Sequence, residues 1–205
     1  MWNPRNPNQT IAASQDGRLV RLTEGDPVIS LAEAKQWLRV DGDLEDAIIE
    51  RGILAVQNLL VPPDGWLGRA LTTASFRMTL PCFADRIFLP AAPLQSVTSF
   101  QYRDMDGDLQ TVDAGLYSVV ETEPAEIVRN RGASWPDMDS LRSDAVSIEF
   151  TAGYGAPGDV PDAIKQWVLY QVSQIHDLRQ PVVVGTIVQP TPFIRDMLEG
   201  YRIRT

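Results

Sequence analysis

The spacing of apolar residues changes period twice along this chain, and that switch constrains the fold more than any other feature. Leu31, Ala34 and Leu38 recur at helical spacing, as do the apolar residues from Leu44 to Leu60. Alternation then takes over: Phe76, Met78 and Leu80 flank Arg77 and Thr79, Thr98, Phe100 and Tyr102 flank Ser99 and Gln101, and Val146, Ile148 and Phe150 flank Ser147 and Glu149. Shorter strand candidates lie at 87–89, 109–112, 117–120 and 126–129. Helical spacing returns after Pro161, with Ile164, Val168, Val172 and Ile175 on one stripe. The order predicts an α+β fold. A helical bundle, formed by an N-terminal helix pair, a long helix near 161–179 and a short C-terminal helix, would carry a central antiparallel β-rich insertion.

Ser30 and Glu33 have capping-box spacing and predict a helix start, while Asp41-Gly42-Asp43 predicts a turn with Asp43 capping a second helix near Leu44. That second helix carries two apolar stripes, one with Leu44, Ile48, Ala55 and Leu59, the other with Ile49, Ile53, Val56 and Leu60. A surface helix needs only one. Either the helix is central to its own domain, or one stripe meets a neighbouring subunit. We take Ile49, Ile53, Val56 and Leu60, with Trp167 and Tyr170, as core and subunit-interface candidates.

The segments expected are an extended arm at 1–27, with a strand-like hint at Leu19, Val20 and Leu22; a helical core from 28–61 and 160–185; the β-rich insertion at 72–154; and a tail at 186–205. Val61-Pro62-Pro63-Asp64-Gly65 must end the second helix, and Pro181 the third. Ala152-Gly153-Tyr154-Gly155 reads as a flexible joint into that third helix. In the tail, Thr191 caps a last helix, Pro192 fits its first turn and Gly200 ends it. Its apolar residues Phe193, Ile194, Met197 and Leu198, followed by Tyr201, Arg202 and Arg204, form a candidate docking peptide.

Composition narrows the function classes. With 44% hydrophobic and 22% charged residues, the 205-residue chain reads as an ordinary soluble protein of the cytosol, without a signal peptide or a membrane span. Its net charge of -9 opposes tight binding to nucleic acid. The single cysteine, Cys82, is expected as a buried thiol, and no cofactor is expected. Asp104, Asp106 and Asp108 repeat as in a calcium loop, but the turn glycine comes too early and Gly115 stands where a glutamate is needed. A tight Asp106-Gly107 hairpin is the expectation. His176 beside Asp177 is not a catalytic pair, because consecutive helical residues point about 100° apart. Glu121, Glu123 and Glu126 surround Pro124 in an expected solvated loop. Neither a catalytic nor a metal site emerges.

Several landmarks share one order. The run Ser30-Leu31-Ala32-Glu33-Ala34-Lys35 is followed by Gly68-Arg69-Ala70-Leu71, Leu89-Pro90, Pro93-Leu94-Gln95-Ser96-Val97, Tyr102 with Asp106-Gly107, Thr151-Ala152-Gly153-Tyr154, Val160-Pro161 and Met197-Leu198-Glu199-Gly200-Tyr201-Arg202. Over residues 28 to 204 this resembles the phage head-tail connector proteins, the adaptors of tailed phages and gene transfer agents. Arg179-Gln180 departs from the family's Arg-Glu after the third helix.

The resemblance implies a non-enzymatic virion protein at the head-tail interface, assembled in the bacterial cytoplasm. Its partners would be the portal protein, a stopper or tail-completion protein, and further copies of itself in a closed ring of about twelve subunits. Double-stranded DNA would pass through without specific binding. Phe193, Ile194, Met197, Leu198, Tyr201, Arg202 and Arg204 would dock on the portal, and deleting 187–205 would leave a folded chain. The alternative is a cytosolic, non-enzymatic protein-binding module, monomeric or dimeric and unrelated to virions.

Overall fold

Ser30 begins the first helix as its spacing predicts. Its hydroxyl accepts from the Glu33 amide at 3.2 Å, and the Glu33 carboxylate accepts from the Ser30 amide at 2.9 Å. The helix α1 (Leu31–Leu38) closes on Arg39 in the left-handed conformation, at φ 57°. The expected cap at Asp43 does not form: α2 spans Asp46–Asn58, Glu45 precedes it without a side-chain capping bond, and Leu44 is 95% exposed. Asp43 instead offers its backbone carbonyl to the Asp46 amide. Lys35 ties the turn to α1, donating to the Gly42 carbonyl and to Asp46 Oδ1.

The computed structural model describes residues 17–139, 141–178 and 197–203. Around the helices lie β1 (Arg18–Arg21), β2 (Ala74–Leu80), β3 (Arg86–Leu89), β4 (Leu94–Arg103), β5 (Leu109–Thr111), β6 (Tyr117–Val120), β7 (Ala125–Arg129) and β8 (Val146–Ala152), then α3 (Asp162–Leu178). Residues 197–199 form one helical turn. The fold is α+β, and every alternating run of the sequence became a strand. A five-stranded antiparallel sheet has the order β1-β2-β8-β4-β5, and a three-stranded one the order β3-β7-β6.

Alternation sets the faces. Phe76, Met78 and Leu80 of β2 and Val146, Ile148 and Phe150 of β8 all point into the core, where Phe76 and Phe150 stack at 5.7 Å. The described part of the expected arm is not extended away from the body: Arg18–Arg21 pairs with β2 from Arg18↔Thr79 to Arg21↔Phe76. Cys82 is exposed rather than buried. Alternation would carry it inward after Leu80, but β2 ends there and Phe83 takes the interior place, stacked 4.7 Å from Trp135.

One hydrophobic core runs through helices and strands alike, from Val28 and Ile29 through α2, β2 and β8 to Val172 and Leu198. The β-rich stretch is therefore packed into the same core as the helices. Among the described residues, no helix is long and apolar enough to cross a membrane.

Candidate assembly surfaces

Arg69 is the best-held charged residue in the interior, 7% exposed. Its Nε donates to the Tyr201 carbonyl, its Nη2 donates to Glu123 Oε2 at 2.6 Å, and its guanidinium lies 5.9 Å from the centre of the Tyr154 ring. Burial is the largest single influence and works against its positive charge, but Glu123 and Tyr154 together outweigh it and raise its pKa above the ordinary guanidinium value. The same bond lowers the Glu123 pKa, and burial raises that of Tyr154. Three separate landmarks of the sequence thus meet at one cation.

The corner beside it is rigid. Gly153 donates to the Pro93 carbonyl at 2.9 Å, Tyr154 donates to Leu71 at 3.1 Å, and the Gly155 carbonyl accepts from Thr73 at 3.0 Å. Gly153 has φ 131°, and a Cβ there would lie 2.3 Å from the Thr72 carbonyl oxygen. The expected flexible joint is instead a fixed seam between sheet and α3. Two of the three expected solvated glutamates are engaged, since Glu126 accepts from Arg86 at 2.9 Å and Glu123 accepts from Arg69.

The two stripes of α2 divide between core and solvent. Ile49, Ile53, Val56 and Leu60 are at most 2% exposed within this single chain, so they have no side-chain surface to offer a neighbour. This corrects their assignment to a subunit interface. Trp167 is 7% exposed and packs edge-on against Trp66, while Tyr170 is half-buried against Trp37, whose indole donates to Ser173 at 2.9 Å. The open stripe is the other one: Leu44, Ile48 and Leu59 are exposed, joined by Ile175 of α3. Ile48, Gly52, Ile175 and His176 line a shallow groove between α2 and α3. His176 Nε2 lies 2.6 Å from Glu45 Oε2, its close partner across the helices, while Nδ1 makes a longer contact of 3.5 Å with Asp177.

Of the expected docking residues, Phe193, Ile194 and Arg204 lie outside the described residues, as do Thr191, Pro192 and Pro181. Leu198 is fully buried in the core, Met197 and Tyr201 are half-buried, and Arg202 is exposed. The Ile203 amide donates to the Leu67 carbonyl at 3.0 Å. Residues 197–203 are therefore part of the packed body, which contradicts the expectation that removing 187–205 leaves the fold untouched. Among the described residues, no group of three or more His, Cys, Asp or Glu side chains could hold a metal ion. Asp104 instead spends its carboxylate on the amides of Asp106 and Asp108 and on Gln110.

The Arg69 centre was not legible as a site because its partners lie 54 and 132 residues away in sequence. The only signal was an arginine in an otherwise apolar run, Leu67 to Leu71.

No protein-family model and no curated protein matches the chain. Solved structures do. The chain is similar to one in the neck of an empty gene transfer agent particle computed with C6 symmetry, with a TM-score of 0.74, 24% identity, and coverage of 92% of this chain and 96% of that one. A chain from the virion of a native gene transfer agent particle matches at TM-score 0.69 and 24% identity, covering 91% and 96%. One from the neck of a native particle computed with C12 symmetry matches at 0.66 and 23%, covering 92% and 96%. These likenesses establish a shared fold over nearly the whole of both chains.

Proposed function

We propose that this protein is a structural component of the neck of a phage-like particle, an adaptor that forms a closed ring beneath the portal and joins the head to the stopper or tail. The supporting observation is the end-to-end likeness to neck chains of gene transfer agent particles, 92% of this chain against 96% of theirs. The order of landmarks from Ser30 to Arg202 points the same way. An open apolar stripe on α2 gives such a protein a surface for assembly. In a ring of about twelve copies, a charge of -9 per chain would repel DNA from the channel wall and let it slide. The portal would be met by the exposed Arg202 and the residues around it, with Tyr201 anchoring that segment to the body.

The test is incorporation. The purified chain is mixed with portal assemblies and sized by sedimentation, and particles made without the protein are inspected for filled heads lacking tails. A complex of ring size on the portal supports the adaptor. A chain that stays monomeric beside the portal, with particles complete in its absence, supports a binding module unrelated to virions.

A further inference from the structure

The five-stranded sheet separates two ends of the molecule, because β8 runs from Val146 to Ala152, about 20 Å at the usual rise of a strand. Past Ala152, Tyr154 meets Arg69, which holds the Tyr201 carbonyl, so the segment 197–203 with its exposed Arg202 lies at that end. At the other end, β4 and β5 close a hairpin on which Met105 and Leu109 are 71% and 52% exposed. Leu141, 96% exposed, belongs to the loop beside it. Arg103 pairs with Leu109 on one side; on the other it accepts from the Asp139 amide at 3.0 Å and donates to the Ala145 carbonyl at 2.8 Å. Both loops are held in place. The Asp104 carboxylate accepts from the Asp106 and Asp108 amides and from Gln110, and Asp139 accepts from the Leu141 amide at 3.1 Å. Trp135 anchors the second loop, stacked on Phe83 and donating to the Ala84 carbonyl. Apolar side chains kept in water by a fixed backbone lose little freedom when a partner covers them.

We propose that the tip formed by Met105, Leu109 and Leu141 docks on the tail-side neighbour of this protein in the neck, a different protein whose aliphatic pocket is bordered by lysine or arginine. The rim of the tip sets that chemistry. Asp104, Asp106, Asp108, Asp139 and Asp144 outnumber Arg103 and Arg142, and those two arginines are taken up by the Gly107 carbonyl and by Asp144. Arg18 belongs to this end of the sheet too, but stands three strands from β4. A second copy is a poorer match, because the arginines near this chain's own exposed apolar side chains are already answered. Arg77 opposite Val20 is bonded to Glu149, Arg86 beside Phe88 is bonded to Glu126, and Arg39 shares the turn before Leu44 with Asp41 and Asp43. The portal is assigned to the far end of the sheet, at Arg202. The inference rests on the adaptor reading and adds to it the surface that faces away from the head.

The test uses two full-length double variants, Met105→Ser with Leu141→Ser, and Asp106→Lys with Asp108→Lys. All four side chains are exposed, so melting curves should match the parent. Heads carrying the portal are loaded with parent or variant and the load is measured by sedimentation; purified tails of the same particle are then added and joined particles counted by electron microscopy. The expected result is that both variants load like the parent but join tails at least ~tenfold less. If the parent loads yet takes up no tails, or either variant joins them as well as the parent, the tip assignment is wrong and loading on the portal still stands. If the variants fail to load where the parent succeeds, the tip faces the portal or a second copy, and the tail-side assignment is wrong. If the parent itself does not load on portal-bearing heads, the adaptor reading fails and the assignment with it.

Discussion

The guanidinium of Arg69 joins the Tyr201 carbonyl to the Glu123 carboxylate, so the end of the chain and the β-rich stretch are held by one buried cation. Replacing it with Met keeps much of the volume but strands the Tyr201 carbonyl and releases Glu123. The Arg69→Met variant is expected to lose about 2–3 kcal/mol in urea unfolding. Arg69→Lys should recover only part of that, because an ammonium cannot serve both acceptors in the guanidinium's planar geometry.

Acid should weaken the same joint. The Arg69 bond lowers the folded-state pKa of Glu123, so the unfolded chain, at about 4.3, takes up protons first as pH falls. The stabilisation is whole above that value and is lost as pH drops through the lower folded value. Glu33 behaves in the same way, its pKa lowered first by the backbone hydrogen bond from Ser30. Unfolding midpoints measured between pH 6 and pH 2 should fall on the acid side, and Glu123→Gln should flatten part of that fall.

A chain ending at residue 196 lacks the fully buried Leu198, the Tyr201 acceptor and the Ile203–Leu67 bond. It should be markedly less stable than the full chain. Leu198→Ala alone is expected to cost about 2–4 kcal/mol. Portal-binding experiments on truncated chains therefore need a melting curve beside them.

Gly153→Ala places a methyl group 2.3 Å from the Thr72 carbonyl at a φ of 131°. Both the clash and the conformation oppose it, for a loss of at least about 2 kcal/mol. Thermal unfolding should reveal the loss, whereas Gly158→Ala, where nothing stands within 4 Å, should leave the melting temperature within a few degrees.

Asp104→Ala removes the acceptor for the Asp106 and Asp108 amides and the Gln110 side chain. Amide exchange should quicken at the β4–β5 hairpin, with a small loss of stability. Adding calcium should change neither the parent nor the variant.

Periodicity carried most of the fold because it records which side of an element is buried. Phe76, Met78 and Leu80 announced β2 without help from any partner, and Ser30 with Glu33 announced α1 through a local bond. What periodicity could not provide was the choice between two equally apolar stripes on α2. That choice depends on α3 and on the sheet, which cover Ile49 and leave Ile48 open. The start of α2 was misplaced because Asp43 can serve the helix through either its side chain or its carbonyl, and the Lys35 contacts with Gly42 and Asp46 favour a later start. The Arg69 centre was hidden for the opposite reason: its partners are fixed by the folded chain path alone. Cys82 departs from the usual burial of a lone thiol because it follows the end of β2, outside any element that would turn it inward.

The sheet has a consequence for synthesis on the ribosome. Its middle strand, β8, spans Val146–Ala152 and lies between β2 and β4, which both end more than forty residues before it begins. Until β8 emerges, β2 and β4 each present an unpaired hydrogen-bonding edge and apolar side chains such as Phe76 and Phe100. The nascent chain passes through a sticky interval that ends only when roughly three quarters of it has been made. Slow translation across residues 104–145 would prolong that interval and lower the yield of soluble protein.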